Sequence, residues 1–201
     1  KSMVVLKNNN NILPLPKSGK TIVVAGRGAN DIGMQSGGWT ISWQGGMGET
    51  TNGTTILDAI KSSVDPGTVV EYSIDGKGFT GDLAIVVVGE KPYAEMMGDR
   101  KDLKLSKEDL EIISRFTDVN VPVVVVLLSG RPMIVTDELD NWDGFVAAWL
   151  PGTEGAGIAD VLFGDYNPTG KLSFSWPKNM NQFPINPDDD HLYKFGFGLS
   201  Y

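Results

Sequence analysis

The densest group of ionisable side chains in the chain runs Gly89-Glu90-Lys91-Pro92-Tyr93-Ala94-Glu95-Met96-Met97-Gly98-Asp99-Arg100. Three carboxylates, an arginine and a tyrosine follow the apolar run Leu83 to Val88 directly. Glycosidic cleavage needs a protonated carboxylic acid beside the leaving oxygen and a second carboxylate as nucleophile or base. This loop can supply the first of these, with Glu90 and Glu95 both eligible. The alternative is a set of solvated loop charges, the ordinary fate of such residues.

A second group lies upstream, where Gly37-Gly38-Trp39-Thr40-Ile41-Ser42-Trp43-Gln44-Gly45 sets two indoles four residues apart among glycines. An indole face is broad, stiff and apolar, and packs well on the C–H face of a sugar ring. Either the pair stacks on carbohydrate or both tryptophans plug the domain's own core. Glycine crowding favours the first, because a core Trp normally sits in a regular element.

Other constellations are weaker. Gly26-Arg27-Gly28 is half of a dinucleotide fingerprint, but Asp31 occupies the third glycine's place and Gly33 comes two residues late, so it reads as a tight turn. Ser129-Gly130-Arg131-Pro132 offers a hydroxyl and a guanidinium with no His or Lys to activate the serine. His191, after Asp188-Asp189-Asp190, reads as a solvated acidic face rather than a metal site. With no cysteine, thiolate chemistry and Cys-ligated metals are excluded, and one His removes any site needing two imidazoles.

The elements that position these groups follow from apolar patterning. Unbroken β-branched runs at Lys20 to Ala25, Thr68 to Tyr72, Leu83 to Val88, Val123 to Leu128 and Phe145 to Leu150 predict strands buried on both faces, as in the middle of a parallel sheet. Helices are predicted at Thr54 to Val64, at Ser106 to Phe116 with a serine cap and an acidic first turn, and at Glu154 to Phe163 closed by Gly164. Alternating strands and helices make an α/β protein: one open, mainly parallel sheet with helices on both sides, a three-layer sandwich. Ligands of such sheets gather at the carboxyl ends of the strands, where both groups above lie. The stretch Gly26 to Thr54, with nine glycines in 29 residues, is expected to be a functional loop, and the tail Asn167 to Tyr201 to wrap a sheet edge or another domain.

The chain has 201 residues and 21.7 kDa, enough for one domain with its own core. Seventeen Lys and Arg against twenty-five Asp and Glu give a net charge of −8, which disfavours nucleic acid and anionic membrane surfaces as partners. The longest apolar run, Val121 to Leu128, is too short to span a bilayer. The first ten residues lack the features of a secretory signal, and both ends read as cuts in a longer protein. The compartment is left open, with a secreted or periplasmic one favoured.

Taken in order, SMVVLKNNNNILPLP, GGWTISWQG, GTTILDAI, AIVVVGEKPYAE with GDR, LLSGRP, AAWLPGTEGAGIADVLFGDYNPTGKLSFSWP and FGFGLSY resemble glycoside hydrolase family 3, the β-glucosidases and exo-acting β-glucan hydrolases, in its second, α/β-sandwich domain of flavodoxin-like type. The resemblance covers nearly the whole chain. It implies residues 1–201 are one domain of a two-domain enzyme whose upstream (β/α)8-type barrel, absent here, carries the nucleophilic Asp. By motif position Glu95 matches the acid/base, four residues before the Asp of the GD pair, with Glu90 as the competing choice. Trp43 matches one jaw of an aromatic clamp on the leaving-group sugar, with Trp39 and Arg100 as further substrate contacts. The implied substrate is a β-glucan, oligosaccharide or glucoside; the implied mechanism is retaining, needs neither metal nor organic cofactor, and leaves this domain inactive by itself. A different class of reading is a non-catalytic sugar-binding or domain-packing module.

Overall fold

The computed structural model describes residues 1–201. Six strands, β1 (Val4–Asn8), β2 (Thr21–Ala25), β3 (Val69–Ser73), β4 (Leu83–Gly89), β5 (Val123–Leu128) and β6 (Gly144–Trp149), form one sheet in the order β1-β6-β5-β4-β2-β3. The last five are parallel, and β1 runs antiparallel to β6. Helices α2 (Ile56–Ser63) and α4 (Gly155–Leu162) cover one face and α3 (Lys107–Thr117) the other, giving three layers. The parallel strands follow the flavodoxin-type winding, whose switch point lies between β2 and β4.

The sequence dictates this layering. In β4 and β5 every residue is buried, and successive side chains point to opposite faces. Ile85, Val87, Val124 and Val126 pack with Ile56 and Ile60 of α2 and Ile158 and Leu162 of α4. Val86, Val88, Val125 and Leu127 pack with Ile112, Ile113 and Phe116 of α3. Burying each such side chain contributes about 1.5–3 kcal/mol, so a doubly covered strand must be apolar throughout. Caps set the helix starts: Thr55 and Ser106 accept from the Asp58 and Asp109 amides at 3.0 and 3.1 Å. No helix is long and apolar enough to cross a membrane.

The structure corrects or adds to the sequence reading in four places. The run at Thr68 to Tyr72 forms β3 at the sheet edge, not a central strand. It pairs only with β2, and Val69 is 49% exposed, because the run is interrupted by Glu71 and turns only Val70 and Tyr72 to the core. The apolar residues Val4 to Leu6 form β1, an antiparallel edge strand that apolar patterning alone does not single out. The stretch Gly26 to Thr54 contains a short helix, α1 (Ile32–Ser36), capped by Asp31 and stapled down by Gln35. The Gln35 amide reaches the Thr54 and Gly152 carbonyls at 3.2 and 2.9 Å and accepts from Ile56 N at 3.0 Å. His191 is 5% exposed rather than solvated; its Nε2 lies 2.6 Å from the Asn186 carbonyl, which draws the imidazole inward. The tail wraps β1, with Leu199 bridging Val5 and Trp176 buried against Phe145.

Candidate functional site

Both chemical segments emerge at the switch point, the Trp39/Trp43 segment downstream of β2 and the Glu90/Glu95 loop from the end of β4. Gly89 makes the exit from β4 possible. At φ +146° its backbone lies so close to β5 that a Cβ would sit 1.8 Å from the Leu128 carbonyl oxygen.

Glu90 comes next and turns inward, 7% exposed. Its carboxylate accepts from Arg131 Nε at 3.2 Å on each oxygen and from Arg131 Nη2 at 2.6 Å. Arg100 Nη1 donates at 3.2 Å and the Tyr93 hydroxyl at 3.1 Å. Burial, then the Glu90 charge, push the Tyr93 phenol above its ordinary value, which keeps its donor proton in place. Arg131 also lies over the Tyr93 ring, 4.8 Å from its centroid, and donates to the Gly98 carbonyl at 2.7 Å. Glu90 is thus the hub of a clamp that closes the loop between residues 89 and 100. Arg100, expected at the substrate, spends its guanidinium on Glu90 and on the Lys104 carbonyl at 2.9 Å.

Glu95 is the contrasting carboxylate. It is exposed, opens a single turn Glu95–Gly98, and makes no hydrogen bond or ion pair. Its φ of +50° lies in the left-handed region that non-glycine residues rarely enter, so the surrounding contacts must hold it. Those contacts are visible on both sides. Gly98 abuts the Tyr93 ring so closely that a Cβ would lie 2.1 Å from Cδ2. The Ala94 amide donates to Gln44 Oε1 at 2.9 Å.

The tryptophans are not core plugs: Trp39 is 69% exposed and Trp43 48% exposed. Their ring centroids stand 6.3 Å apart at 53°, and the Trp39 amide donates to the Trp43 carbonyl at 2.9 Å, closing a tight turn. The glycines explain the turn's place. A Cβ on Gly38 would lie 2.0 Å from the Tyr93 carbonyl oxygen, and one on Gly45 would strike Pro92 and Gly37, so the turn is pressed onto the Glu95 loop. Trp39 and Glu95 line one cleft of about 290 Å³ with Tyr93, Gly130 and Leu150; Trp43 stands beside it against Trp39. A more polar cavity of about 480 Å³ lies on the other side of Glu90, walled by Arg27 and Lys107, and contains neither indole nor Glu95.

The weaker constellations resolve as structure. Gly26 and Gly28 press on Val87, while Arg27 pairs with the buried Asp109 at 3.1 Å. Burial raises the Asp109 carboxyl above its usual value, against the opposing pull of Arg27. The Ser129 hydroxyl is buried and donates to the Arg131 carbonyl at 2.6 Å. Sequence reasoning missed the roles of Arg131 and Gln44, each of which acts on a partner at least 41 positions away with nothing local to mark it.

The chain matches the glycosyl hydrolase family 3 C-terminal domain over residues 3–201. It is 30% identical to a lysosomal β-glucosidase of Dictyostelium discoideum and to a periplasmic β-glucosidase of Salmonella typhimurium, each across 100% of this chain but only 28% and 33% of theirs. It therefore spans about a third of the length of these relatives. An exo-1,3/1,4-β-glucanase from a Pseudoalteromonas species superposes with a TM-score of 0.91 at 46% identity, covering 99% of this chain and 27% of that one. A β-glucosidase from Listeria innocua, 24% identical with a TM-score of 0.83 over 99% of this chain and 32% of its own, shares the fold. Sheet order, the paired loops at the switch point and the match along nearly every residue agree: this chain belongs to glycosyl hydrolase family 3, as a C-terminal domain of that family.

Proposed function

We propose that this domain supplies the general acid/base of a retaining glycoside hydrolase that cleaves β-glucosidic bonds, with Glu95 as that residue and the nucleophile on a barrel elsewhere in the same protein. The observation that carries the reading is the pairing of a partnerless, exposed carboxylate with an exposed indole in one cleft, on a loop braced from both sides. In the first step Glu95 protonates the departing glycosidic oxygen while the barrel carboxylate attacks the anomeric carbon. In the second, the carboxylate of Glu95 takes a proton from water as it displaces the enzyme ester and releases the sugar. Glu90, the competing candidate, is enclosed by three donors, which supports a bracing role instead.

Trp43 and Trp39 fit the leaving-group side, where an indole stacks on a sugar ring. In the full-length enzyme Trp43→Ala is expected to weaken binding of a glucose disaccharide by about 1–3 kcal/mol, the range for aromatic stacking platforms, and to leave a monosaccharide inhibitor nearly unaffected. Inhibition constants for both ligands check this. Equal losses would make Trp43 a packing residue.

A further inference from the structure

Gln44 follows Trp43 directly, and its side chain makes the one hydrogen bond that joins the tryptophan loop to the Glu95 loop. A backbone N–H can only donate, so the atom facing Ala94 is the Gln44 carbonyl oxygen. The other half of the amide, Nε2, is buried without any partner. Burying an unpaired donor is unfavourable, and an apolar side chain would avoid it. What glutamine brings to this place is the acceptor for Ala94. That contact sits one residue before Glu95, whose left-handed backbone needs holding, and one residue after the turn that carries both indoles.

We propose that Gln44 is a positioning residue: its Oε1 bond to the Ala94 amide sets where the Glu95 carboxyl stands relative to the Trp39/Trp43 platform. The inference rests on Glu95 being the acid. Occupation of the leaving-group subsite and placement of the proton donor are then coupled through adjacent residues, because a backbone shift at Trp43 carries with it the acceptor that holds Ala94. The contact acts on geometry alone. Displacements near 1 Å at a reacting group can cost about 100-fold.

The test uses the full-length enzyme with two substrates, a β-1,3-linked glucose disaccharide and 2,4-dinitrophenyl β-glucoside. Gln44→Met, similar in length but without the acceptor, is expected to lower kcat/KM on the disaccharide by about 10- to 100-fold. For the activated glucoside, which leaves without a proton, kcat/KM, which reports only the step up to the glycosyl ester, should change by less than about threefold. Gln44→Glu keeps an acceptor oxygen and should restore most of the lost disaccharide rate. The ratio of the two kcat/KM values is independent of how much enzyme folds, so a poorly folding variant still gives an answer. In a Glu95→Gln background, Gln44→Met should cause no further loss on the disaccharide, since the group it positions is gone. Equal losses on both substrates, or a loss that multiplies with that of Glu95→Gln, would overturn the proposal. Failure of the Glu95 reading is separate: it would appear as Glu95→Gln itself lowering kcat/KM for both substrates alike.

Discussion

Glu95→Gln in the full-length enzyme is expected to abolish kcat/KM for glucosides with poor leaving groups while sparing kcat/KM for activated aryl glucosides, whose glycosylation needs no proton even though release of the sugar from the enzyme ester is slowed. The amide is close in size to the carboxyl and sits on a loop whose bracing contacts all lie on neighbouring residues, Ala94 and Gly98, so the backbone should persist. What is lost is a proton. A sugar alkoxide cannot depart without one, whereas a dinitrophenolate can, and general acid catalysis typically contributes about 100- to 10,000-fold. The expected outcome is a loss of that size on a disaccharide and a far smaller one for glycosylation by the activated substrate. Rates measured across phenols of graded acidity would show it as a steep leaving-group dependence absent from the parent enzyme. An equal loss on every substrate would mean that Glu95 shapes the site without serving as its acid.

Glu90→Ala should act quite differently. Here the carboxylate is buried, and its removal leaves Arg131 and Arg100 facing each other without the charge that holds them, together with an unpaired Tyr93 hydroxyl. Breaking a buried ion pair from one side typically costs about 3–5 kcal/mol, and the partial exposure of both arginines moves the expectation toward the lower end. The denaturation midpoint should fall accordingly. Activity should drop on good and poor leaving groups together, because the whole loop from Gly89 to Arg100 loosens. A stable Glu90→Ala variant with a selective loss on poor leaving groups would reverse the roles assigned to Glu90 and Glu95.

How far these roles are readable in the sequence depends on the distance over which each is decided. Strands β4 and β5 declare themselves because their neighbours on both faces demand unbroken apolar runs, and α3 because its serine cap and acidic first turn are local. Strand β1 does not, because what makes it a strand is pairing with β6, roughly 140 positions on. Helix α1 is five residues long, too short to show a period, and depends on Gln35 reaching Thr54 and Gly152. The edge position of β3 depends on strand order, which its own residues do not encode. The site follows the same rule. Placement of the carboxylates and indoles at strand ends is legible, whereas the distinction between Glu90 and Glu95 is made by Arg131, 41 residues downstream. Glycine crowding hints at the exposure of Trp39 and Trp43, but it is the close approach of Gly38 and Gly45 to Tyr93 and Pro92 that keeps the turn on the surface.

The most direct test of the central claim is the stereochemistry of rescue. If Glu95 is the acid/base of a retaining enzyme, truncation in Glu95→Gly opens a space on the β face of the anomeric carbon and lets the glycosyl ester with the nucleophilic carboxylate accumulate from an activated glucoside. Azide, which needs no base to attack, can then enter from that face; its nitrogen bonds to the anomeric carbon as the ester oxygen leaves. If Glu95 is the acid/base, turnover of 2,4-dinitrophenyl β-glucoside by Glu95→Gly rises with added azide and the product is the β-glucosyl azide. An α-configured azide would mark Glu95 as the nucleophile, and the absence of any rescue would place the acid/base on another residue.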